Sequence, residues 1–196
     1  MFWLVLSISL GLTTAASRTC YGDISQLSPT GRKPGGVSAS NSAVQSDLSA
    51  LNAQRSCYQA SADKNCVQAS VIAAIASRES NGGKGLNSGY GDGRKAWGIM
   101  QCDIAKSGLP CTSVPWNSCE HIEMMVSRKL VPDIKTIARR LSSWSPSQTL
   151  QGAVAAYNFG TKNVQTWGGV DVGTTQGDYS NDIIARAKWL LANGWN

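Results

Sequence analysis

Glu79 is the residue of this chain best placed to do acid chemistry. It stands in the run CVQASVIAAIASRES at 66–80, where Val67, Val71, Ile72, Ile75, Ala76 and Glu79 share one helical face through steps of three and four. A carboxyl group on an apolar face loses hydration in its charged form and becomes a weaker acid. Asn81, Gly82 and Gly83 follow at once, the residues most able to take the left-handed conformation that ends a helix. Glu79 therefore falls in the last turn, where unpaired carbonyls disfavour a negative charge further. A carboxylic acid that keeps its proton near neutral pH is what general acid catalysis requires. The competing reading is structural: Arg78 or a capping group neutralises Glu79, which then only anchors the loop after it.

Asp92 and Asp103 follow in the Gly-rich segment 84–104, where a flexible backbone lets carboxylates converge on a groove. One carboxylic acid facing two carboxylates is the equipment for glycosidic hydrolysis, the acid protonating the leaving oxygen and a carboxylate activating water. That chemistry needs no metal and no cofactor. Other mechanisms have little to draw on, because the chain has three glutamates, at 79, 120 and 123, and one histidine. His121 is expected on a solvated helix start among Cys119, Glu120 and Glu123, and no nucleophile elbow or papain-like signature is present. Zinc held by Cys102, Cys111, Cys119 and His121 is the competing metal reading. No C-x-x-C pair supports it.

The cysteines point elsewhere. Cys20, Cys57, Cys66, Cys102, Cys111 and Cys119 all lie beyond an apolar leader, MFWLVLSISLGLTTAA, at 1–16. This leader reads as a signal peptide cleaved after Ala16 or Ser17. An even number of cysteines in an oxidising compartment implies three disulfides. The expected product is a secreted, extracellular single domain over 18–196, of a size that supports one compact core. The apolar stretch from Phe2 to Leu12 is shorter than the ~20 residues of a membrane span, so stable membrane insertion is not expected. A net charge of +6 favours anionic partners. The basic residues, among them Arg32, Lys64, Lys95, Arg139 and Arg186, are scattered. Scattered charge suits attraction to bacterial walls better than an organised nucleic-acid reader or membrane helix. A monomer is expected.

Helices must position these groups. Residues 28–42 read as a loop, rich in Gly, Pro and Ser. Val44, Leu48 and Leu51 predict a helix over 43–55, and a second helix spans 66–80. The period is lost over 84–104, which reads as short strands and turns forming a small sheet or hairpin beside the second helix. Residues 119–141 predict a long helix kinked or split by Pro132. Ser145, Pro146 and Gln148 open another helix running to about Asn158. The last helix lies between Asp178 and Asn193, and the domain is predominantly α with a minor sheet.

The motifs SRES at 77–80, GYGDGRKAWGIMQCD at 89–103 and AYNFG at 156–160 together resemble the goose-type lysozymes. RTCYGD at 18–23, GVSAS at 36–40 and DVGTTQGDYSNDIIARA at 171–187 extend the likeness, in order, over essentially the whole mature chain. The resemblance implies a lysozyme-like helical domain, α+β in the detail of a small antiparallel sheet lining the cleft. It implies hydrolysis of the β-1,4 bond between N-acetylmuramic acid and N-acetylglucosamine in bacterial peptidoglycan, usually with inversion, in an antibacterial or digestive role. Glu79 then looks like the general acid, with Asp92 and Asp103 positioning and activating water. Tyr157 and Asn158 correspond to residues lining the sugar groove. Tyr90, Trp97 and Gln101 are further candidate contacts, with core packing the alternative for Trp97. By the same likeness Cys20 pairs with Cys66. Cys57, Cys102, Cys111 and Cys119 depart from the vertebrate pattern and admit three pairings, and a bridge from Cys102 would restrain its neighbour Asp103. Two rivals remain. A lytic transglycosylase shares the fold and catalytic glutamate but cleaves without water, which Asp92 and Asp103 argue against, and a cationic wall-binding protein would need no catalysis.

Overall fold

The computed structural model describes residues 20–196, and the leader expected at 1–16 lies outside them. Its centre is a helix, α3 (Ala69–Ser80), preceded by α1 (Gly36–Ala53) and α2 (Arg55–Asn65). Ten of the twelve residues of α3 are buried, so the helix that carries Glu79 is enclosed on nearly all sides rather than amphipathic. Alanines at 69, 73, 74 and 76 let α1, α2 and the C-terminal helix α7 (Tyr179–Ala192) pack closely around it. The helix ends as its sequence predicts. Asn81 takes φ 54°, and the N–H groups of Asn81 and Gly82 return to the carbonyls of Ser77 and Ala76.

A small sheet follows, β1 (Tyr90–Gly91), β2 (Ala96–Trp97) and β3 (Cys102–Asp103), antiparallel in that order. Tyr90 pairs with Trp97 and Trp97 with Cys102, while Gly91 pairs with Ala96 and Ala96 with Asp103. Because neighbouring residues of a strand point to opposite faces, Gly91, Ala96 and Asp103 share one face and Tyr90, Trp97 and Cys102 the other. Beyond the sheet come α4 (Cys119–Met125) and α5 (Val131–Arg140), joined by a wide π turn at 126–130 in which the Val131 N–H reaches the Val126 carbonyl. Pro132 sits in the first turn of α5. With no N–H and a ring that crowds the carbonyl four residues back, it splits the predicted long helix. Helix α6 (Pro146–Phe159) opens with the expected capping box, Ser145 Oγ accepting from the Gln148 N–H and Gln148 Oε1 from the Ser145 N–H.

Three readings change. Helix α1 begins at Gly36, so the loop ends well before residue 42; the serines that suggest a loop are helical, and Ser40 is buried with its hydroxyl accepting from the Arg32 N–H. Helix α2 has no counterpart in the sequence reading, since only Cys57, Tyr58, Ser61 and Ala62 of its residues are buried. Cys66 ends α2 at φ 56° instead of starting α3. The disulfides are Cys20–Cys66, Cys57–Cys119 and Cys102–Cys111.

A buried charge network ties α3 to α1 and α7. Arg186, 2% exposed, donates twice to Asp182 and also to Ser77 Oγ, and Ser77 donates to Asp47. Arg78 pairs with both Asp178 and Asp182, and Lys84 pairs with Asp47 at 2.9 Å. Three cations thus meet three anions. Arg186 is therefore a structural ion and not one of the scattered surface charges of the sequence reading.

Candidate active site

Each residue of the SRES segment has a different partner. Ser77 and Arg78 join the buried network, and the Ser80 hydroxyl donates to the Ile99 carbonyl at 2.7 Å, fixing the end of α3 to the sheet region. Glu79 is left to face the cleft. Burial pushes its carboxyl up to about 7, against the opposing effects of a hydrogen bond from the Tyr179 hydroxyl and the charges of Arg78 and Lys129. Arg78 directs its guanidinium to Asp178 and Asp182, so the direct partner of the Glu79 carboxyl is the Tyr179 hydroxyl.

The cleft has a volume of about 690 Å³. Glu79 from α3 and Tyr157 and Asn158 from the end of α6 line it together with Asp92, Gln101 and Asp103 from the sheet region. Six of the eight candidate residues therefore meet in one cavity. Asp103 is held by the N–H groups of Ala105 and Lys106, which donate to its Oδ1 at 3.0 and 2.9 Å. Tyr157 donates to the Met100 carbonyl at 2.7 Å. Its hydroxyl is held well above its ordinary range by burial and by the nearby Glu79 and Asp133. Asn158 accepts from the Thr175 N–H at 2.9 Å. Gln101 takes φ 52° and lays its amide over Gly91, where a Cβ would overlap it, so the second glycine of GYGD makes room for a cleft residue.

Tyr90 and Trp97 are a correction: neither lines the cleft. They pack edge to face, centroids 4.7 Å apart, on the other face of the sheet, and the Trp97 indole N–H donates to the Val114 carbonyl. Trp97 packs against the core, its alternative reading. His121 is a second correction. It is wholly buried, not solvated; its Nε2 accepts from the Met100 N–H, and burial pushes its pKa down to about 4. The cysteines of the competing zinc set are all in disulfides. Residues the sequence reading missed are Tyr179, which lies a hundred positions from its partner Glu79, and the cleft lysines 95, 106 and 129. Spacing carries no signal for a contact across that distance.

The Cys102–Cys111 bridge, nine positions apart in sequence, closes the loop that holds Asp103, Lys106 and Ser107 at the cleft. Replacing both cysteines with serine is expected to cost about 2–3 kcal/mol through chain entropy, and to lower kcat with little change in KM. Thermal melts and steady-state kinetics of the double variant check this. Unaltered kcat would mean that the two backbone N–H groups suffice to hold Asp103.

The arrangement can protonate a leaving oxygen on one side and hold water on the other. The family model described as lysozyme g matches residues 13–194. The chain belongs to the lysozyme g family. Like the family it is a lysozyme-type glycosidase. It is 36% identical over 202 residues to lysozyme g of Struthio camelus, covering 97% of each chain. To lysozyme g of Gallus gallus it is 36% identical over 186 residues, 90% of this chain and 86% of the relative. A Lottia gigantea protein described as glycine, glutamate and proline-rich is 46% identical over 195 residues, and the chain spans 46% of that relative's length.

Proposed function

We propose that this lysozyme g relative is a secreted, monomeric, bacteriolytic enzyme that hydrolyses the β-1,4 bond between N-acetylmuramic acid and N-acetylglucosamine of bacterial peptidoglycan with inversion. The observation that carries the reading is the meeting of Glu79, its carboxyl pushed up to about 7, with Asp92 and Asp103 in one cleft. Glu79 gives its proton to the glycosidic oxygen as the bond to C1 breaks. Tyr179, already donating to Oε1, stabilises the carboxylate left behind. Asp92 and Asp103 orient the water that attacks C1 from the opposite face and accept its proton. Tyr157 and Asn158 flank the sugar. Lys95, Lys106 and Lys129 line the cleft beside its carboxylates, Lys129 paired with Asp133, and the chain's net charge of +6 suits an anionic wall polymer. Two carboxylates available to hold water favour hydrolysis over transglycosylation. Among the described residues no helix is long and apolar enough to cross a membrane.

Purified protein acting on peptidoglycan tests the proposal. Product masses should show reducing ends, and proton NMR at early times should show the α-anomer. Predominantly anhydro products would make it a transglycosylase, and an initial β-anomer would exclude inversion. Full lysis by the Glu79→Gln variant would support a non-enzymatic wall binder.

A further inference from the structure

Asp92 and Asp103 reach the cleft by different means. Two N–H groups hold the carboxyl of Asp103, whereas among the described residues none donates to that of Asp92. Asp92 is aimed by its backbone, in the turn between β1 and β2. Asp92, Gly93 and Arg94 have φ of 45°, 59° and 73°, three left-handed residues in a row. Glycine takes this conformation freely and aspartate is enriched in it; arginine is neither. Such a residue persists where its surroundings hold it.

The hold on Arg94 is visible. Its guanidinium carbon lies 4.2 Å from the Tyr90 ring centroid. Tyr90 packs edge to face on Trp97, its pairing partner across the hairpin, and the Trp97 indole N–H is anchored on the Val114 carbonyl at 3.0 Å. The stack begins in the turn and runs across both strands into the loop beyond. Arg94 itself does not line the cleft.

We infer that Arg94 is a positioning residue: by closing on the Tyr90–Trp97 pair it keeps the turn left-handed and Asp92 aimed at the attacking water. This rests on the role proposed above for Asp92. It gives Tyr90 and Trp97 a part in catalysis from the far side of the sheet, without contact to sugar. A cation over an aromatic ring at an exposed site has a strength equivalent to roughly two- to fivefold in an equilibrium, and the ratio of molecules with Asp92 in place to those without should change by that factor.

The test is the steady-state kinetics of Arg94→Gln, Arg94→Lys, Asp92→Asn and the Arg94→Gln/Asp92→Asn double variant on soluble peptidoglycan fragments, with thermal melts alongside. The expected result for Arg94→Gln is a fall in kcat of up to about fivefold at unchanged KM, with the melting temperature lowered by no more than about 4 °C. Lysine, which keeps the cation, should recover most of it. In the Asp92→Asn background Arg94→Gln should do nothing more. Unchanged kcat in Arg94→Gln, a rise in KM alone, or an undiminished loss in the Asp92→Asn background would each overturn the inference and leave the proposed function standing. Full activity of Asp92→Asn would overturn the role of Asp92 and the inference with it.

Discussion

Glu79→Gln is expected to lose about a hundred- to ten-thousandfold in kcat, the range for a positioned general acid, while becoming more stable at neutral pH. The amide keeps the shape and can still accept the Tyr179 hydrogen bond, but has no proton to give. The stability gain follows from linkage. Burial raises the folded carboxyl to about 7 from an ordinary 4.5, so as pH rises the unfolded chain ionises first. Glu79 therefore favours folding most below about pH 4.5, and that contribution is lost as pH climbs to about 7. The deficit above pH 7 is up to about 3 kcal/mol, at 1.36 kcal/mol per unit of pKa. Glutamine removes it. Melting curves of both proteins from pH 4 to 8 should converge at the acid end and separate at the alkaline end; a separation independent of pH would refute this. His121 acts in the opposite sense. Its pKa is lowered to about 4 from 6.5, so stability falls as pH drops through that window, and removing its imidazole would flatten the acid side of the profile.

Arg186→Met is expected to have the largest effect on folding. It leaves Asp182 and Asp47, 0% and 3% exposed, short of their partner inside the protein. Breaking one side of a buried ion pair costs about 3–5 kcal/mol, which for a chain of this size lowers the melting temperature by roughly 10 °C. The Asp182 carboxyl, which burial alone would raise, is held below its usual range by Arg186, Ser40 and Arg78, and this accounts for the one-sided cost. Activity should fall as well, since Arg186 and Ser77 help to fix the helix whose last turn carries Glu79. A melting temperature within a degree or two of wild type would show that the network contributes little beyond specificity.

Local signals made most of the site legible. The left-handed stop after Glu79, the glycines that free Asp92 and the capping box before α6 all act within a few residues, and each is where the sequence places it; the helix carrying Glu79 was found too, though it starts at Ala69 and is buried on nearly all sides. What depended on distant partners was not legible. Tyr179 meets Glu79 from the start of α7, and Arg186, Asp178 and Asp182 meet Arg78 and Ser77 from the far end of the chain. Arg186, counted among the scattered basic residues, read as surface. Tyr90 and Trp97 were misplaced because strands of two residues have too little alternation to say which face is which, and a one-residue change of register exchanges the faces. His121 misled because a run of polar neighbours suggested solvent, while the ring itself fills the space over Gly98. Helix α2 lacked an apolar stripe, and the pairing of four cysteines is a matter of distances that spacing does not carry.

The ionisation of Glu79 can be observed almost in isolation, because the chain has three glutamates. Protein labelled with 13C at the glutamate side-chain carboxyl should give three signals. One, missing from Glu79→Gln, should titrate with a midpoint near pH 7, matching the alkaline fall in kcat/KM, while Glu120 titrates below its ordinary range. If the signal assigned to Glu79 titrates instead near the ordinary value of 4.5, the proton on which the whole account depends is absent at neutral pH and the account is wrong.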